Sequence, residues 1–327
     1  MTRPRAHHRR ARGLLAAALA VVAATAAAAP MALIVPVRLT EGTNSYGDSN
    51  PAWTPDGSRI AYDSRDGNPY YPTIYYKQLS GGAETQLTGQ GEPSPDYLHP
   101  AYSPDGVQIA YAKKDGSWYH IYRRPAAGGA EVPVTTGAAG PASGLYGDFY
   151  PAWSRDGQWI AFGSSRGDPQ YGLYDLWVVR PDGTGLKQVT AQGAPDTGWP
   201  SWAPDGNTLV FSQNDQVWRV SRGGGSSWAA PVWLWDGGSH PSFAPDGRRV
   251  AYDHGGDILV RAYPGGAPVP VTSGPDEDLG PSWSPDGKAL AFSSNRGDGY
   301  RAIWVASGVE TVPTVPATLA RVKALYR

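Results

Sequence analysis

Six carboxylates, Asp48, Asp96, Asp148, Asp196, Asp236 and Asp278, each stand a few residues ahead of a Pro that opens a common segment. His99 and His240 precede their Pro directly, and Tyr46, Tyr97, Tyr146, Phe149, Tyr150 and Trp199 lie close by. Like charges gathered at one place attract cations or a basic peptide, and exposed aromatics anchor a partner at small entropic cost. The same aspartates also suit Asx-turns at loop ends, a purely structural role.

Covalent chemistry finds less support. Gly163-Ser164-Ser165-Arg166-Gly167 fits the G-x-S-x-G nucleophile pattern, which needs a strand, a sharp turn and a helix. Here it falls between two strands and recurs as Ser293-Ser294-Asn295-Arg296-Gly297, so Ser165 reads as part of a repeated turn. Arg166-Gly167-Asp168 and Arg296-Gly297-Asp298 look like adhesion tripeptides but belong to the same loop. The chain has no cysteine, which excludes disulfides and thiolate chemistry. Four histidines lie beyond the basic N-terminus: His99, His120, His240 and His254. Asp276-Glu277-Asp278 lacks the ligand spacing of a calcium loop. No catalytic residue and no metal ligand is assigned. A divalent cation such as calcium is the one cofactor the acidic segments could take.

The elements that hold these residues form a repeat. PAWTPDGSRIAYDS begins at Pro51, and variants begin at Pro100, Pro151, Pro200, Pro241 and Pro281. The turn aspartates Asp56, Asp105, Asp156, Asp205, Asp246 and Asp286 are spaced 49, 51, 49, 41 and 40 residues apart. That period suits four short strands per copy, one blade of a propeller. Pro-Asp-Gly is a tight-turn signal, and Arg155 replaces the Pro in the third copy. The aromatics Trp53, Tyr102, Trp153, Trp202, Phe243 and Trp283 are large enough to fill the wedges between blades. Four copies end in Leu/Val-Thr, at Thr88, Thr135, Thr190 and Thr272, and Trp233–Trp235 stand there in the fourth.

The sixth copy stops after its third strand, while Val37-Arg38-Leu39-Thr40 precedes the first and matches the missing fourth. The expectation is an all-β, six-bladed β-propeller over residues 35–306, its last blade closed by the N-terminal strand and free of open edges. The repeated Pro-x-Trp-Ser-Pro-Asp-Gly unit resembles the WD40-like (PD40) repeat of the TolB-like propeller family. That resemblance implies the fold and an extracytoplasmic protein-binding role. The α/β domain that precedes the TolB propeller has no counterpart here. In such a blade the Pro-Asp-Gly turns share one face with short Gly-rich turns, and the longer loops lie opposite, the expected working face.

Arg3, Arg5, Arg9, Arg10 and Arg12 precede an apolar, Ala-rich stretch to Ala29, which reads as a signal peptide over 1–30 or an N-terminal anchor. Residues 307–327 form a tail, with a short basic helix as one reading. Beyond residue 29 the chain holds 23 basic and 29 acidic residues, a balance unsuited to nucleic acid. The sequence therefore predicts an exported, monomeric, non-catalytic scaffold in the secreted, periplasmic or cell-envelope space. It takes a basic protein or peptide partner at a mouth formed by Asp48, Asp96, His99, Asp148, Tyr150, Asp196, Trp199, Asp236, His240 and Asp278. Membrane contact would come only through an uncleaved leader. The alternative is a metal-dependent enzyme, saccharide lyase or hydrolase-like, working at the same mouth.

Overall fold

The computed structural model describes residues 34–42, 47–65, 71–89, 95–137, 146–168, 173–191, 197–223 and 227–309. The proposed leader and residues 310–327 lie outside them. Among the described residues no helix is long and apolar enough to cross a membrane.

Six four-stranded antiparallel sheets are arranged as the blades of a propeller. Their first strands are Asp48–Trp53, Tyr97–Tyr102, Asp148–Trp153, Gly198–Trp202, Ser239–Phe243 and Asp278–Trp283. The sixth sheet takes its outer strand from the N-terminus: Val37 pairs with Val305, and Arg38 with Trp304. The Arg38 guanidinium then meets Asp298 at 2.7 Å.

The aspartate of each turn accepts from the backbone amide two residues on, as Asp56 does from Ser58 at 2.9 Å. Asp56 also accepts from the Thr54 and Ser58 hydroxyls, and these bonds hold its carboxyl down at about 2. The following glycine sits at φ 67 to 72° in all six copies, where an L side chain is strained.

Each of the six apolar clusters joins two adjacent blades, so the core is distributed between sheets. Ile60 and Tyr62 of blade 1 pack with Ala291 and Ile303 of blade 6, and Ile160 and Phe162 of blade 3 with Ala110 and Ile121 of blade 2. The repeat tryptophans add a directional link. The indole N–H groups of Trp53, Trp153, Trp202 and Trp283 donate to the carbonyls of Ser282, Ala101, Ala152 and Ser242, each one blade back, at 3.0 to 3.1 Å.

The recurring threonine has a matching role. Its hydroxyl accepts the third-strand amide of its own blade, from Ile74, Ile121, Leu176 and Ile258 to Thr88, Thr135, Thr190 and Thr272. Thr40 accepts from Ile303 in the same way, which places the N-terminal segment in the repeat pattern. Thr40 and Thr135 then donate onward to Asp48 and Asp148, the first residue of the next blade.

Candidate functional site

The residue before each repeat Pro interrupts its strand. Pairing slips between Ser49 and Ala52 in blade 1 and at the matching place in every other blade. The residues at these bulges are Asn50, His99, Tyr150, Trp199, His240 and Gly280, and all six adopt left-handed φ between 50 and 63°. Such a conformation costs of order 1–3 kcal/mol for a residue with a side chain. Because all six copies share it, the bulge belongs to the repeat, and only the side chains on it distinguish one blade from another.

Those six residues line a single axial cavity of about 310 Å³. Four of them form a continuous arc of rings. His99 lies 4.2 Å from Tyr150, Tyr150 stacks on Trp199 at 4.0 Å with an interplanar angle of 27°, and Trp199 meets His240 edge-on at 4.3 Å. Blades 2 to 5 thus give the cavity an aromatic wall, while Asn50 and Gly280 of blades 1 and 6 leave the remaining side polar and wide.

Two carboxylates support the arc from the second strands. Asp63 accepts from Asn50 Nδ2 at 2.9 Å and from the His99 amide at 3.0 Å. Asp253, at the same position of blade 5, meets His240 Nδ1 at 2.6 Å and accepts from the Gly280 amide at 2.9 Å. Burial pushes the Asp63 carboxyl up to about 7 despite these bonds. Burial, with a contribution from His240, pushes His99 down to about 3, so its ring is neutral at ordinary pH. Buried Nδ1 of His99 and Nε1 of Trp199 have no hydrogen-bond partner among the described residues.

Among the described residues none of the expected mouth aspartates lines the cavity. Asp48, Asp148 and Asp278 are buried at blade junctions. Asp148 is bonded by Thr135 and Ser164 at 2.5 Å and by Arg166. Burial would raise its carboxyl, but the Arg166 charge and the two hydroxyls, with His120 Nδ1 3.7 Å away, outweigh it and hold it below the ordinary range. Asp278 is bonded likewise by Arg296. The two Arg-Gly-Asp segments therefore have their arginines engaged in buried ion pairs, with side-chain exposures of 9% and 15%.

Asp96 accepts from the Tyr119 hydroxyl, and Asp236 lies exposed at the end of an outer strand, bonded by Gln216 at 2.8 Å. Asp196 and Tyr46 lie outside the described residues. Ser165 is buried in its turn, its hydroxyl accepting the Gly147 amide at 3.2 Å. Among the described residues no three His, Asp or Glu side chains converge as a metal site would require.

Of the expected mouth residues, the structure brings together His99, Tyr150, Trp199 and His240. It adds Asn50, Gly280, Asp63 and Asp253, which the sequence reading passed over. Asn50 and Gly280 occupy the same place directly before the repeat Pro as the four ring residues, and Asp63 and Asp253 recur twelve residues after the Pro of blades 1 and 5.

No protein-family model matches the chain. A 66-residue stretch is 38% identical to an uncharacterized peptidase, YuxL, of Bacillus subtilis, covering 17% of this chain and 10% of that one. The chain thus spans about a tenth of that curated relative's length. Among solved structures it is similar to a putative TolB from Agrobacterium tumefaciens, with a TM-score of 0.60, 20% identity, and coverage of 83% of this chain and 96% of that one. It is also similar to a gluconolactonase from Xanthomonas campestris, with a TM-score of 0.63, 13% identity, and coverage of 84% and 89%. At these identities the similarities define the propeller fold and leave the activity open.

Proposed function

We propose that the chain is a non-catalytic, extracytoplasmic propeller that binds a protein or peptide partner at the axial cavity. The observation that carries this reading is the arc of His99, Tyr150, Trp199 and His240 on identical backbone bulges. The repeat fixes the backbone but not these side chains, so their contiguous aromatic character asks for a cause beyond folding. A cavity of about 310 Å³ takes one or two side chains of a partner. Rigid aromatic walls with two buried ring nitrogens fit an aromatic or proline side chain offered by an extended loop. The similarity to TolB-like propellers supports a partner-binding role. The basic character expected of the partner loses its main support, because three of the aspartates behind it are buried and paired.

Selection of a random peptide library on the intact chain tests the reading. Enriched sequences are expected to share an aromatic or proline anchor and to bind about thirtyfold more weakly to Trp199→Ala, as truncating a hot spot worth about 2 kcal/mol would produce. Enrichment that is indifferent to both Trp199→Ala and Tyr150→Ala would refute the proposal.

A further inference from the structure

A cavity of about 760 Å³ lies away from the axial site, between blades 2 and 3 at the end where the Pro-Asp-Gly turns sit. This is the face expected to be plain. Its volume falls within the range of small-molecule sites. Three arginines line it: Arg123, Arg155 and Arg180. Among the described residues none of the three forms an ion pair.

Each guanidinium is held differently. Arg123 is clamped, with Nε donating to the Pro181 carbonyl and Nη1 to Gln108 Oε1, both at 2.8 Å. Arg180 lies over the Trp159 ring at 5.4 Å. Arg155 is exposed and reaches the Pro245 carbonyl, two blades away, only at 3.4 Å. The turn does not require an arginine there, since the other five copies have proline.

The cavity also holds Asp105, Asp156 and Asp182. Each gives Oδ1 to its own turn, to Val107, Gln158 and Thr184 amides at 2.9 to 3.0 Å. Hydrogen bonds from Ser103 and Val107 hold Asp105 below the ordinary carboxylate range, and bonds from Thr184 do the same for Asp182. The site is therefore a mosaic of fixed charges, cationic forks beside ionised carboxylates. A bare anion meets repulsion from the aspartates, and a neutral molecule leaves the guanidiniums unused. The match is a molecule with one oxyanion for the arginines and hydroxyl donors for the carboxylates.

We propose that this cavity is a second binding site, for a small hydroxylated oxyanion whose carboxylate or phosphate is held by Arg123 and Arg155. Arg155 also lines the turn-side mouth of the axial channel, so a bound anion draws its guanidinium off the Pro245 carbonyl.

The test uses the full chain with three probes: D-glucuronate, glucose 6-phosphate and, as the uncharged control, D-glucose. Saturable calorimetric binding of at least one anionic probe is expected, and none of glucose. The tighter of the two anions identifies the recognised group. Arg155→Pro restores the consensus turn and so keeps the fold. It should weaken binding at least about tenfold, the effect of losing one charge-assisted hydrogen bond. Arg123→Gln, at the other guanidinium assigned to the anion, provides an independent second variant. Absence of saturable binding by either anion overturns the proposal. So does an affinity that both variants leave unchanged.

Discussion

Asp63 offers the sharpest quantitative test of the site's electrostatics. Its carboxyl, 5% exposed beneath Asn50 and His99, is raised by burial from an ordinary 3.8 to about 7. A carboxyl that binds its proton more tightly when folded stabilises the native state fully below pH 3.8, and that stability is lost as pH rises through 7. At 1.36 kcal/mol per pKa unit, the gap sets an upper bound of about 4 kcal/mol on the change between pH 4 and pH 8. Asp63→Asn preserves an oxygen for Asn50 Nδ2 and the His99 amide but removes the ionisation. Denaturant unfolding of both proteins at several pH values isolates this residue, because the other titrations cancel in the difference. The variant should match the wild type to within about 1 kcal/mol at pH 4 and exceed it by about 2 to 4 kcal/mol at pH 8. A difference that stays constant across that range refutes the argument.

Replacing Asp148 by Ala leaves Arg166 buried without its partner, which should cost about 3–5 kcal/mol and lower the unfolding midpoint by roughly 5 to 15 °C. Because the Asp148 carboxyl is held low, its contribution is present above the unfolded value and fades in acid, so the gap between wild type and variant should narrow as pH falls below 3.8. Gly147 sits at φ 142°, and a Cβ there would lie 2.4 Å from the Tyr119 carbonyl oxygen, in backbone that cannot swing aside. Gly147→Ala is therefore expected to reduce the yield of folded protein and the thermal midpoint, read by near-ultraviolet circular dichroism and a melt.

The propeller and its closing strand were legible because six copies of one turn fix the blade period and the N-terminal Leu-Thr supplies the missing partner. The aspartate ring was misplaced for a simple geometric reason. Side chains alternate along a strand, so an offset of one residue moves a group to the opposite face. Asp48 pairs opposite Ser64, and the residue at that position in blade 2 is Tyr97, opposite Lys113, one place beyond Asp96. In blades 4 and 5 the pairing of Gly198 with Ser212 and of Ser239 with Asp253 puts Thr197 and Gly238 there. The six aspartates stand three, four or five residues ahead of their prolines, and only Asp48, Asp148 and Asp278 share one register. The aromatic arc was half visible, because ring types can be read from sequence, whereas the bulge that aims them inward is a backbone feature without a residue signature of its own.

The clasp between the two ends of the ring also governs when the molecule can exist. Thr40 and Ile303 are separated by 263 residues, and the pairing between them must wait until that length of chain has been made. At about 5–20 residues per second, the first strand waits on the order of 10 to 50 s for its partner. Through that interval Val37 and Arg38 form an unpaired edge, and blade 1 lacks the blade 6 surface on which Ile60 and Tyr62 close. The nascent chain is thus a hoop with an open buckle, exposed to pairing with a neighbour's strand until its final blade emerges.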